Sequence, residues 1–216
     1  MKVNLPSRKT MTRFKINKKI LIPVSAAVIL LVVLSFAYLD FGISSSENVV
    51  NSNAGTYSTG NGTDNVPGNI ILFVEKNQIY DEVLSKKISK QLESEGFDVS
   101  IVSDLDLQAD YSYPALFVSV TDGDVSYTPL SAESDIDVMY VYSSTGSSEY
   151  FWKFRASDDN TPAVVTFNGE HRNMLLIRGS IDIRDRTQGL FSARYYERHL
   201  ADSIAEEVVK NVRSNL

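Results

Sequence analysis

The chain contains no cysteine. That excludes disulfides, thiol nucleophiles, cysteine-ligated metals and the lipidated cysteine of a lipoprotein anchor. A folded unit must therefore be stable through its core alone. Histidine is scarce too: His171 and His199 are the only two. His171 reads as an exposed turn residue, flanked by Glu170 and Arg172. His199 reads as a boundary residue beside Leu200. There is no glycine-rich phosphate loop, no GxSxG elbow and no HExxH. Four close acidic pairs occur: Asp104 with Asp106, Asp122 with Asp124, Asp135 with Asp137, and Asp158 with Asp159. None extends into a calcium loop, so each reads as a turn cap or a solvated loop. No cofactor and no metal site is expected, and no residue is assigned a catalytic role. Ser143 to Ser148 has the composition of an anion nest, but a polar hairpin loop explains it more simply.

Charge is absent in two places. Residues 1–19 lack Asp and Glu but carry seven basic residues, Lys2, Arg8, Lys9, Arg13, Lys15, Lys18 and Lys19. Ile20 to Leu39 then carries no charge of either sign. A 20-residue helix spans roughly 30 Å, the thickness of a bilayer core. Residues 1–19 are therefore expected as a basic cytoplasmic leader and 20–41 as a transmembrane signal-anchor in contact with membrane lipid. The apolar run is longer than a signal-peptide core, although Ser35 and Ala37 would permit cleavage after Ala37. Type IV prepilins also join a basic leader to an apolar stretch. Their processing site needs a small residue at the junction, usually with a Glu soon after, and Lys18-Lys19-Ile20 supplies neither.

The whole chain has 27 acidic and 21 basic residues. Without the seven of the leader, 14 basic residues face 27 acidic ones, a balance of −13. An exterior of that sign excludes nucleic acid as a partner.

Residues 42–68 are mostly Ser, Asn, Gly and Thr, a composition that buries too little apolar surface to order itself. They are expected as a flexible linker. Asn61-Gly62-Thr63 within it fits an N-glycosylation acceptor at Asn61.

The rest, 69–216, patterns as an extracytoplasmic α/β domain. Asn69 to Val74 is an apolar run of strand length. A helix follows, capped at Asn77, with Ile79, Tyr80, Val83, Leu84, Ile88 and Leu92 on one stripe. Gly96 and Phe97 form a Schellman-type stop. Asp98 to Ser103 reads as a second strand, parallel to the first. Five further runs are rich in β-branched and aromatic residues: Pro114–Val120, Ile136–Tyr142, Tyr150–Arg155, Ala163–Phe167 and Met174–Ile183. Turn signals at Asp122-Gly123, 143–148, 158–162 and Asn168-Gly169 separate them. A last helix, about Ser192 to Ser214, buries Tyr196, Leu200, Ile204, Ala205, Val208 and Val212. Glu206 and Lys210 are expected as its outer pair. The expected fold is α+β: a transmembrane helix, a linker, then a two-layer α/β sandwich. Its sheet is mixed and mostly antiparallel, with two packed helices.

Along the last strand, Leu175, Ile177, Gly179, Ile181 and Ile183 share one face, and Leu176, Arg178, Ser180, Asp182 and Arg184 the other. If Tyr150–Arg155 is a neighbouring strand, Lys153, Arg155, Arg178 and Arg184 form a basic cluster on one sheet face. The simple reading is a solvated face of cross-strand charge pairs. The sharper one is a docking face for an acidic or polymeric partner.

The segment Arg178-Gly-Ser-Ile-Asp-Ile-Arg-Asp, followed by Leu200-Ala-Asp-Ser-Ile-Ala-Glu-Glu-Val-Val, resembles the small α/β domains of envelope-assembly factors. In those a meander ends in a helix lying back on the sheet. The resemblance covers about 40 residues and assigns none of them a role.

The expected function is a single-pass membrane protein whose outward domain binds an unknown protein or polymer, or assists envelope assembly, without catalysis. The competing expectation is an anchored surface hydrolase using carboxylate chemistry. A bare spacer is a third. A pocket of converging carboxylates would favour the enzyme. An open sheet face or edge strand would favour the binding module.

Overall fold

The computed structural model describes residues 18–59, 68–76, 81–157 and 174–216, without the side chains at 18–21, 37 and 81. Helix α1 (Lys18–Tyr38) leads into strands β1 (Gly42–Ser58) and β2 (Asn69–Val74). Helix α2 (Asp81–Ser94), strands β3 (Asp98–Val102), β4 (Ala115–Thr128) and β5 (Ser131–Ser143), helix α3 (Glu149–Arg155), strand β6 (Leu175–Phe191) and helix α4 (Ala193–Asn215) follow. The strands form one mixed sheet in the order β1-β6-β5-β4-β2-β3. β2 is parallel to β3 and β4, and the remaining pairs are antiparallel.

The β2–α2–β3 unit forms as its pattern predicts. Leu84, Ile88 and Leu92, four residues apart on α2, are fully buried. The helix stops in a Schellman motif: the Phe97 N–H donates to the Leu92 carbonyl at 3.1 Å and the Gly96 N–H to that of Glu93 at 3.0 Å. Gly96 has φ +93°, where a side chain would be strained. Asn77, Ile79 and Tyr80 lie outside the described residues.

Helix α4 is capped by Ser192, whose Oγ accepts from the Tyr195 N–H at 3.1 Å. Its stripe of Tyr196, Leu200, Ile204, Val208 and Val212 packs with α2 on one face of the sheet, over Leu175, Ile177, Ile181 and Ile183 of β6. Gly179 is required there, because a Cβ would lie 2.1 Å from the Tyr140 ring. On α4's outer side Lys210 pairs with Glu207 at 3.0 Å, not with the expected Glu206.

Tyr150–Arg155, expected as a strand, is helical. Strand-favouring aromatics at 150, 151 and 154 fit a helical period equally well. Tyr150, Phe151 and Phe154 are buried from α3 onto the sheet's second face. There Phe151 stacks on Phe117 at 5.5 Å and meets Phe73 edge-on at 5.9 Å. A second, smaller core results, adding a layer over part of that face.

Asp122-Gly123, expected as a turn, lies inside β4. The ladder to β5 absorbs one extra residue between Val120 and Asp122 as an irregularity, and pairing then continues. The turn is at Pro129-Leu130, where Thr128 Oγ1 accepts from the Ser131 N–H at 3.0 Å.

The largest correction concerns residues 42–68. Of this expected linker, 42–58 is edge strand β1, paired with β6 over 17 residues from Gly42↔Phe191 to Ser58↔Leu175. Composition failed here because order comes from neighbours: β6 supplies a backbone ladder, and α4 supplies polar partners. The Ala163–Phe167 strand, the turns at 158–162 and 168–169, Asn61 and His171 fall outside the described residues.

Among the described residues no helix is long and apolar enough to cross a membrane. The α1 side chains that are described include Ile22, Leu30, Leu31 and Val33, each more than half exposed.

Candidate functional site

The second face of the sheet divides in two. α3 and its aromatics cover the part built on β2, β4 and the first residues of β6. The remainder, over β1, β6 and β5, carries a cleft of about 790 Å³ bounded by the end of α3.

The four predicted basic residues reach different places. Arg155 and Arg178 line this cleft together. The Arg178 guanidinium lies over the Phe154 ring at 4.5 Å, a cation–π contact that fixes its position. Arg155 Nε donates to Glu75 Oε2 at 3.1 Å, and Glu75 also accepts from Ser119. Lys153 points along α3 to Glu149 at 2.5 Å. Arg184 stands farther along β6, between Asp135 at 3.4 Å and Asp182 at 3.5 Å. The single basic face is thus not formed: Arg178 and Arg155 share the cleft, Arg155 already paired with Glu75, and the other two belong to local pairs elsewhere.

Next to the cleft is an acidic hollow of about 280 Å³, lined by Asp122, Asp124, Asp135, Asp137, Asp182 and Arg184. The register explains it, since Asp122 faces Asp137, Asp124 faces Asp135, and Asp137 faces Asp182. Two acidic pairs assigned separately to turns therefore stand opposite each other on one hairpin. Burial, then the charges of Asp182, Asp135 and Asp122, push the Asp137 carboxyl up, against the opposing pull of Arg184. Among the described residues no group of three or more His, Asp or Glu has the arrangement to hold a metal ion.

A second polar constellation lies under α4. The Asp185 side chain is buried and meets His199 Nε2 at 2.7 Å. Thr187 Oγ1 donates to its other oxygen at 2.7 Å, and Ser46 Oγ is 2.7 Å from Thr187 Oγ1. Burial alone would raise the Asp185 carboxyl, but hydrogen bonds from His199 and Thr187 outweigh it and hold it below the ordinary range. The same bond to Asp185 raises His199, against its own desolvation. The sequence held a signal for this pair: alternation along β6 places Asp185 and Thr187 on the face of Ile181 and Ile183, where polar residues need partners.

No family model matches the chain, and no curated protein matches it. Two crystal structures of the PelC dodecamer from Paraburkholderia phytofirmans align with it at 11% identity, over 76% of this chain and 95% of PelC. The TM-score is 0.38 for one and 0.35 for a substituted form. At those scores the likeness carries no argument about activity or partners.

Proposed function

We propose that the chain is a single-pass membrane protein with a cytoplasmic N-terminus and an outward α/β domain that binds an acidic protein or polymer. The observation that carries the binding reading is Arg178, held over Phe154 in an open cleft beside Arg155. A cation fixed in advance in an otherwise acidic domain loses little freedom on meeting a carboxylate. The anchor reading is supported by the uncharged run Ile20–Leu39 behind a basic leader. It is also supported by Ser25 and Ser35, whose hydroxyls donate to the carbonyls of Ile22 and Val32 within α1 and so need no water.

The test uses the full chain in detergent with poly-L-glutamate and polygalacturonate as acidic probes and dextran as the neutral control. At least one acidic probe should bind and dextran should not. Arg178→Glu with Arg155→Gln should abolish binding at unchanged melting temperature. Raising salt from about 50 to 500 mM should weaken it, because screening shortens to a few ångströms. Binding that ignores both changes, or no binding of either acidic probe, overturns the assignment.

One observation favours the alternative of a carboxylate hydrolase: burial and the charges of three facing aspartates push the Asp137 carboxyl up, the direction a general acid needs. Hydrolysis of a surface glycan or peptide lost on Asp137→Asn would establish that reading instead.

A further inference from the structure

Among the described residues, β1 pairs on one side only, with β6, and its other edge is open along all 17 residues. Natural sheets protect such edges by shortness, by Pro, by Lys or by a bulge. β1 is long, contains no Pro or Lys, carries Glu47 as its one charge, and runs without a register break. About half of its N–H and C=O groups point outward, as alternation in an antiparallel ladder requires.

We infer that this edge pairs antiparallel with the β1 edge of a second copy, joining two six-stranded sheets into one. The sequence of β1 complements itself about its midpoint. A two-fold axis normal to the sheet demands that facing residues share a face, hence the same parity. Full overlap of 42–58 meets this demand and sets Val50 opposite its own copy. The same register sets Ile43 opposite Tyr57, Glu47 opposite Asn53, and Asn48 opposite Ser52. Ile43 is 84% exposed in the single chain and Tyr57 38%. Pairing covers both, at each end of the seam, with the aromatic and β-branched combination that cross-strand contacts favour. No like charges face each other. The two-fold also keeps both α4 helices, and the α1 helices in contact with them, on one face of the joined sheet.

The absence of native cysteine makes the register directly readable. In the full chain in detergent, Val50→Cys should give a disulfide-linked dimer under mild oxidation, because facing Cα atoms lie within disulfide range. Glu47→Cys alone and Asn53→Cys alone should not, whereas a mixture of the two should. Leu107→Cys, exposed and remote from the seam, measures random collision. As a second measurement, Asn53→Glu sets two glutamates opposite each other twice and should weaken dimerisation at least tenfold by sedimentation. Adding Glu47→Lys to that variant should restore it. A chain that sediments as a monomer overturns the inference. So does Val50→Cys linking no faster than Leu107→Cys, or a dimer indifferent to Asn53→Glu, which would place the contact elsewhere.

Discussion

Ser52 Oγ donates a 2.7 Å hydrogen bond to Glu207 Oε1, tying the edge strand to the last helix across 155 residues of chain. It belongs to a series. Asn48 Nδ2 donates to Ser203 Oγ at 3.0 Å, and Thr56 Oγ1 to Asn215 Oδ1 at 2.9 Å. Positions 48, 52 and 56 share one strand face, and α4 runs above them in the same direction. This polar seam replaces the apolar contact that usually seats a strand under a helix.

The first prediction concerns where the domain begins. Composition places that boundary near Pro67, yet a chain starting there lacks β1. It would leave the β6 edge unpaired and strip Glu207 of its Ser52 partner. Such a chain should aggregate or show no cooperative thermal transition, whereas one starting at Asp40 should unfold cooperatively. Calorimetry of both decides it. Equal cooperativity would mean that β1 contributes nothing to the fold.

Why the sequence showed some parts and hid others follows from the same seam. α2, α4 and the inner face of β6 were legible because each buries an apolar stripe at its own period, and β2 because it is an apolar run buried on both faces. β3, which stays partly exposed, was legible from its place after the helix stop at Gly96. β1 was hidden because both its faces are polar, and its order depends on partners more than a hundred residues away. α3 hides its period because four aromatics in five residues, Tyr150, Phe151, Trp152 and Phe154, satisfy either one. Of the candidate site, the alternation of β6 placed Arg178, Asp182 and Arg184 on one face. The acidic hollow needed the pairing of β4 with β5, and that pairing became visible only once the turn moved from 122–123 to Pro129-Leu130.

The core of α4 sets the second prediction. Leu200 and Ile204 are fully buried. Leu200→Asp or Ile204→Asp would bury an unpaired charge, a cost of several kcal/mol against a total of roughly 5–15. Either should abolish the thermal transition. Glu206→Ala, on the wet face, should stay within about 0.5 kcal/mol. Asp202→Ala should cost at most about 1 kcal/mol, since its partner Lys87, 2.6 Å away, joins it at the surface. Denaturant titration of the four variants distinguishes a packed helix from a loose one.

The third prediction is a pH dependence. His199 titrates higher when folded, chiefly through its bond to Asp185. Its stabilisation is therefore fully present below the ordinary histidine value of about 6.5 and is lost as pH rises through the folded value. Asp185 titrates lower when folded, so its stabilisation holds above the ordinary 3.8 and is lost as pH falls through the folded value. Asp202 adds a second negative charge near the imidazole, in the same direction. Melting temperature should thus peak between about pH 4 and 6.5 and decline toward pH 9. His199→Ala should flatten the alkaline decline. It should also cost about 3–5 kcal/mol at pH 5.5, because it leaves the buried Asp185 carboxylate without its cation. An alkaline slope unchanged by His199→Ala would show that the pair does not govern it.

The last prediction concerns topology. The seven-to-none charge asymmetry before Ile20 should hold the N-terminus in the cytoplasm. With one epitope at each end of the chain, protease added to intact cells should destroy the C-terminal epitope and spare the N-terminal one. Both epitopes should lie on one band of full mass before digestion, because the uncharged run is longer than a cleavable signal core. Loss of the N-terminal epitope from the band that keeps the C-terminal one would instead place cleavage near Ala37. Protection of the C-terminal epitope until lysis would reverse the orientation, and with it the exposure of the Arg155–Arg178 cleft to any partner outside the membrane.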